Sequence, residues 1–287
     1  MPSVRQIRRR IRSVENTSKI TRAMSLIAAS KMRRAQESAE NARPYSNLIS
    51  DIVSKLLSQS NSHDSEVHPL SASREMNKIT LVHITPDRGL TGGLNGNINR
   101  NALQFIQNHN ASEISVIGIG RKGIDFLKRT SAIVAEAITD INDRPDISDF
   151  SHISEIIVND FINENTDAVF INFSSFVNTT SQNPTIIQLL PIPQGNIENS
   201  NSFGYIFEPE INSVISELIP KYLKSIIFHS ILESIASEQS ARMVAMRNAT
   251  DSANEMVEDL TLIMNKARQE AITTELLDIV GGVAAVQ

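Results

Sequence analysis

Residues 221–280 read KYLKSIIFHSILESIASEQSARMVAMRNATDSANEMVEDLTLIMNKARQEAITTELLDIV, sixty positions without a glycine or a proline. These two residues are the strongest helix breakers. Their absence predicts one helix far longer than an ordinary bundle helix. Leu232, Ile235, Gln239, Arg242, Met246, Ala249, Ala253, Met256, Leu260, Ile263, Ala267, Glu270, Thr274 and Leu277 alternate in steps of 3 and 4, and ten of the fourteen are apolar. That is the heptad pattern of a helix packed along its length against another helix.

The partner lies at the other end of the chain. No glycine precedes Gly89, and no proline falls between Pro2 and Pro44. Pro2 and Ser3 suit a helix start. Ile7, Ile11, Val14, Ser18, Thr21, Ser25, Ala28, Met32, Ala35, Ala39 and Ala42 repeat the same spacing with mostly small side chains, which let two backbones approach. Ile20, Met24 and Ile27 form a second stripe read as widening the buried face. Pro44 is read as a kink, with Leu48, Ile52, Lys55 and Leu56 resuming the pattern beyond it. Each helix covers about 60 residues, roughly 85–90 Å at 1.5 Å per residue. Helices this long need a packing partner, so the two ends are expected to pair antiparallel as a coiled coil. An ordinary helix bundle is the alternative, but bundles turn at Gly or Pro every ~10–20 residues.

Nine of the eleven glycines lie between 89 and 204. Here strand-like runs (KITLVHIT, ISVIGIG, AIVAEAIT, DAVFINFSSF, TIIQLLPI) mostly alternate with helix-like ones (NINRNALQFIQNH, RKGIDFLKR, SDFSHISEIIVNDFINE). The alternation predicts a small Rossmann-like α/β domain with a mainly parallel sheet. The fold class is therefore α/β: a long antiparallel coiled coil of N- and C-terminal helices, with this domain inserted between them. The expected boundaries are 1–60, 77–195 and 209–287.

Gly118-x-Gly120-x-x-Gly123 spells a dinucleotide-binding turn at a strand-to-helix junction. That fingerprint belongs to the first βαβ unit, whereas one strand and one helix precede it here. The sheet is also too small for two mononucleotide halves, and no second domain remains to hold a substrate. Tight helix–sheet packing is the competing reading. The loop Gly89-Leu90-Thr91-Gly92-Gly93-Leu94-Asn95-Gly96 resembles a phosphate cradle but lacks the Gly-Lys-Ser/Thr ending of a P-loop.

The six histidines (63, 68, 83, 109, 152 and 229) include no i, i+4 pair, and there is no cysteine. Neither a metal site nor a cofactor site is expected, and no nucleophile–base–acid set stands out. The chain is not read as an enzyme acting alone. No apolar run reaches the ~20 residues of a membrane span.

The formal charge of −5 hides an asymmetry: residues 1–43 hold 11 Lys/Arg against 3 acids. A basic end on an acidic protein implies a negatively charged partner. Nucleic-acid or membrane binding by a basic coiled coil therefore stays open beside the dinucleotide reading.

Three segments carry a family resemblance. PSVRQIRRRIRSVENTSKITRAMSLIAASKMRRAQ (2–36), DRGLTGGLNGNI (87–98) and ARMVAMRNATDSANEMVEDLTLIMNKARQEAITTELLDIVGG (241–282) resemble, in order, the three signatures of the gamma subunit of F-type ATP synthases. The resemblance implies a rotor shaft, one copy per complex, that couples ring rotation to ATP synthesis or hydrolysis in a hexamer of alpha and beta subunits. Its expected partners are those subunits, the epsilon subunit and a proton-driven membrane c-ring, with no nucleic acid. Its expected place is peripheral, on the cytoplasmic face of a bacterial cell membrane.

By the same resemblance, Arg8, Arg9, Met24, Arg242, Arg268, Gln269 and Thr273 are expected to couple the shaft to beta subunits, with Arg5, Arg10 and Arg12 extending the basic cluster. Leu276, Leu277, Ile279, Val280 and Val283 are the expected apical bearing, and Tyr205, Phe207 and Glu208 the expected foot on the ring. Two departures stand out. Thr91 occupies a position where many relatives have cysteine, and Phe207 one where tyrosine is commoner.

Overall fold

A computed structural model describes residues 3–60, 69–109, 113–130, 132–193 and 211–284. The chain divides into two compact units, residues 1–28 with 242–287, and residues 29–241. Two helices contribute to both units: α1, Val4–Ser60, and α5, Ile211–Ala284. The start of α1 is a reciprocal cap. Gln6 N donates to Ser3 Oγ at 3.3 Å, and Ser3 N donates to Gln6 Oε1 at 3.0 Å.

In the first unit the two helices are antiparallel. Ser18 Oγ donates to Asn254 Oδ1 at 2.7 Å, the Thr21 and Thr250 hydroxyls meet at 2.7 Å, and Ser25 Oγ donates to Met243 O at 3.2 Å. On α1 the expected seam is the observed one: Ile7, Ile11, Thr21 and Ala28 are buried, and Val14, Ser18 and Ser25 partly so. Of the second stripe only Met24 is partly buried, while Ile20 and Ile27 are 61% and 57% exposed.

On α5 the seam runs through Met246, Thr250, Ala253, Val257, Leu260, Met264 and Ala267, all buried or partly buried. Met256 and Ile263, expected in the seam, are 45% and 52% exposed. The hydroxyl pair at Thr21 and Thr250 sets this phase, and an apolar pattern cannot register it.

In the second unit α1 continues through Pro44. Its seam passes through Ala35, Ala39, Ser46, Ile49, Val53 and Leu56, all buried. The helix keeps its phase across the proline, so Leu48 points outward at 60% exposure and Lys55 is exposed, contrary to the restarted register.

The α/β domain contains β1 (Lys78–Ile84), α2 (Leu94–Asn108), β2 (Glu113–Ile119), α3 (Arg121–Leu127), β3 (Ile133–Ile138), α4 (Ser151–Ile162), β4 (Ala168–Phe176) and β5 (Gln182–Leu190). Helix α2 begins earlier than the sequence suggests and takes in Gly96. The sheet order is β3-β2-β1-β4-β5, parallel except for β5.

Alternation along the strands gives the sheet two cores. One face (Ile79, Leu81, Val116, Ala168, Phe170) packs with Ala102 and Phe105 of α2 and Leu127 of α3. The other (Val82, Ile84, Ile117, Ile119, Val169, Ile171, Phe173) packs with α4 and with Ile49–Leu57 of α1 and Ile215–Ile231 of α5. The crossover reverses direction between β3 and β4, which puts α4 on the face opposite α2 and α3, as right-handed connections require.

Candidate functional site

The glycine turn after β2 is occupied by the protein itself. Gly120 has φ +96°, and a Cβ there would lie 1.8 Å from Thr85 O. A Cβ on Gly123 would lie 2.7 Å from the His83 and Thr85 side chains. The amides that would face a pyrophosphate are already used. Arg121 N donates to Asp87 Oδ1 at 2.9 Å, Lys122 N to Pro86 O at 3.1 Å, and Gly123 N to Thr85 Oγ1 at 2.8 Å. The second Asp87 oxygen accepts from Ile141 N at 3.0 Å. Asp87 thus supplies the anion that a helix N-terminus attracts. The glycines serve close packing of α3 against the end of β1.

The end of β1 beside β4 is the switch point where open α/β sheets bind ligands. Here it holds a buried polar cluster. His83 Nε2 donates to Asn99 Oδ1 at 2.9 Å, Asn172 Nδ2 donates to His83 Nδ1 at 3.3 Å and to Ile98 O at 3.2 Å, and Asn101 Nδ2 donates to Asn172 Oδ1 at 3.2 Å. Burial lowers the His83 pKa to about 4 against the opposing hydrogen bond to Asn99, so the ring is neutral. Among the described residues no group of His, Asp and Glu has the arrangement of a metal site.

The residues expected to meet partners lie on the helix pair. Arg8 and Arg9 are exposed, in the turn between the seam residues Ile7 and Ile11. Met24 and Arg242 are partly buried, and the Ser25–Met243 hydrogen bond puts them at one level of the pair. Arg268, Gln269 and Thr273 are exposed. Thr273 Oγ1 donates to the backbone oxygen of Gln269 at 2.9 Å, the back-bond a helical threonine makes to residue i−4.

Carried along the register of Thr21 and Thr250, α1 runs out near the level of Arg268. The rest of α5, to Ala284, has no α1 residue opposite it. There Ile272, Leu276, Leu277 and Ile279 are 51–66% exposed. The side chains of Val280 and Val283 lie outside the described residues, as do Tyr205, Phe207 and Glu208.

Sequence reading missed Glu233, a buried acid inside the apolar start of α5. Its carboxylate accepts from Ser175 Oγ at 2.9 Å and pairs with His229 Nε2 at 3.2 Å and Arg43 Nη2 at 3.3 Å. Burial alone would raise its pKa, but the hydrogen bonds from His229 and Ser175 and the electrostatic influence of His229 and Arg43 together lower it. A single acid in SIIFHSILESIAS was the available signal. The roles of Asp87 and Thr85 were also missed, because their partners lie more than 30 residues away.

A family model described as ATP synthase matches residues 3–286. The ATP synthase gamma chain of Dehalococcoides mccartyi is 49% identical over 286 residues, covering 100% of both chains. That of Psychrobacter arcticus is 41% identical over 295 residues, also covering 100% of both. Among solved structures, the central stalk/c-ring of the Tetrahymena thermophila mitochondrial ATP synthase matches with a TM-score of 0.64 and 26% identity, over 80% of this chain and 99% of that one. The rotor of the Euglena gracilis mitochondrial ATP synthase shares the fold at a TM-score of 0.61 and 16% identity, over 94% and 98%.

Proposed function

The chain belongs to the ATP synthase gamma-chain family, and from that premise we propose that it is the central rotor of a proton-translocating ATP synthase. It turns with a membrane c-ring, and its asymmetry drives the beta subunits of an alpha/beta hexamer through different states. It performs no chemistry itself. Its partners are the alpha, beta and epsilon subunits and the ring, and one copy serves each complex. It lies peripherally on the cytoplasmic face of the bacterial cell membrane; no helix among the described residues is long and apolar enough to cross one. The working division is a helix over 1–60, an α/β domain over 77–195 and a helix over 209–287.

The observation that carries this reading is the end of α5, which extends past α1 with its apolar side chains exposed. A nearly uncharged helix tip can turn inside an apolar collar without breaking ion pairs at each step. Leu276, Leu277, Ile279, Val280 and Val283 supply that bearing. Below it, Arg8, Arg9, Met24, Arg242, Arg268, Gln269 and Thr273 engage the beta subunits. The arginines complement acidic segments, and Gln269 and Thr273 present one polar face. Tyr205, Phe207 and Glu208 form the foot on the ring.

Co-expression with the alpha and beta subunits tests the reading. A 3:3:1 particle that hydrolyses ATP is expected, and in the membrane complex R8E/R9E should reduce ATP-driven proton pumping. Failure of the chain to enter any such particle would overturn the assignment.

A further inference from the structure

The end of β4 is tied to α5 by a row of side chains to which the rotor reading assigns no part. Ser234, Ser237 and Ser240 recur every third residue and are all buried. Ser174 N donates to Ser234 Oγ at 3.3 Å, and Ser237 Oγ donates to Ser174 O at 2.9 Å. Ser240 Oγ donates to Thr179 O at 2.7 Å and accepts from Gln182 Nε2 at 3.4 Å. Ser174 needs these partners. The pairing of β4 with β1 ends at Asn172, and on the other side Ser174 faces Pro184, which has no N–H. Next in line, Glu233 accepts from Ser175 and pairs with Arg43 of α1. Strand β4, α1 and α5 therefore meet at one carboxylate.

The neighbouring contacts between the sheet and these helices are apolar. Apolar packing resists separation, but its attraction has no direction, and it opposes sliding only through the steric interlocking of side chains. Hydrogen bonds weaken steeply when their angle is lost; those to Ser174 are buried, and those at Glu233 and Ser240 are partly buried. They add a directional resistance to shear that packing alone lacks. Accepting the rotor reading, we propose that Glu233, Ser234, Ser237 and Ser240 form the joint that carries torque between the α/β domain and the helix pair. They act as positioning residues for rotary coupling and touch no substrate.

The test uses the assembled complex, anchored by its catalytic hexamer, with an optical probe on the α/β domain. The width of the probe's angular fluctuation during pauses reports torsional stiffness. Glu233→Gln and the double variant S237A/S240A should each broaden the angular variance at least twofold and lower the protons pumped per ATP. Hydrolysis by the 3:3:1 particle should stay at the wild-type rate. Ser240→Thr, which keeps the hydroxyl, and Ser252→Ala, at an exposed position of α5, should leave the variance unchanged.

Wild-type variance in both test variants overturns the proposal. So does a loss of hydrolysis in step with the broadening, which would assign these residues to folding alone. If the double variant does not assemble, Ser240→Ala removes only the bonds to Thr179 and Gln182 and decides the question by the same readout. A wild-type complex that never rotates would instead refute the rotor reading, separately from the joint.

Discussion

The hydroxyls of Thr21 and Thr250 meet at 2.7 Å inside the seam of the helix pair, although 229 positions separate them in sequence. Each also donates to its own helix or accepts from the other: Thr21 Oγ1 lies 3.1 Å from Ser18 O, and Thr250 Oγ1 lies 2.8 Å from Met246 O. This polar layer selects one alignment of the two helices from several that the small apolar seam residues would accept.

Thr21→Val should therefore destabilise the helix pair by about 1 kcal/mol, the net worth of a buried hydrogen bond. Thr250→Val should do the same, and the double variant should lose less than the sum of the two. A double-mutant cycle by chemical denaturation measures this coupling, and strict additivity would mean that the hydroxyls do not interact.

Gly120 and Gly96 should respond in opposite directions to alanine. Gly120→Ala sets a Cβ 1.8 Å from Thr85 O at a φ of +96° and should cost more than about 4 kcal/mol, enough to unfold the domain. At Gly96, inside α2, a Cβ meets nothing within 4 Å. Gly96→Ala should stabilise the domain by about 0.5–1 kcal/mol through helix propensity. Paired thermal melts decide both.

Asp87→Ala removes the acceptor for the amides of Arg121 and Ile141 and should lower stability by about 1–3 kcal/mol. Asp87→Asn keeps one acceptor oxygen and should cost less. If Asp87 instead served a bound ligand, either change would leave the free protein's melting temperature unmoved.

Acid should weaken the fold in two successive windows. His83 has a folded pKa of about 4 against an ordinary 6.5, so the unfolded chain takes the proton first. Stability is full above about pH 6.5 and falls by up to about 1.4 kcal/mol per unit, about 3 kcal/mol in all, as the pH drops to about 4. Glu233 is also lowered. Its contribution is present above its ordinary value of 4.5 and is lost as the pH falls through its folded value. His83→Gln should flatten the first window and leave the second. Denaturation midpoints at pH 7, 5 and 4 check the order.

What could be read from the sequence follows from which interactions are periodic. Missing Gly and Pro marked the long helices, and strand–helix alternation marked the parallel sheet. The α1 seam was legible even at Ser18, Thr21 and Ser25, because size as well as polarity was counted. The α5 phase was not, since Ala249 and Met256 look apolar while Thr250, which faces inward, looks like surface. Glu233 and Asp87 were hidden for a different reason. Each works through partners that only the folded chain brings near, and no spacing rule announces them. The glycine turn read as a cofactor motif because close backbone approach calls for glycine whether the neighbour is a pyrophosphate or Thr85.

The 229-residue separation of Thr21 and Thr250 also bears on how the protein is made. The first helix leaves the ribosome with its apolar edge uncovered, and its complement is translated 229 residues later. At about 5–20 residues per second that interval is about 10–50 s, during which a chaperone, or a nascent neighbour, has the first claim on that surface.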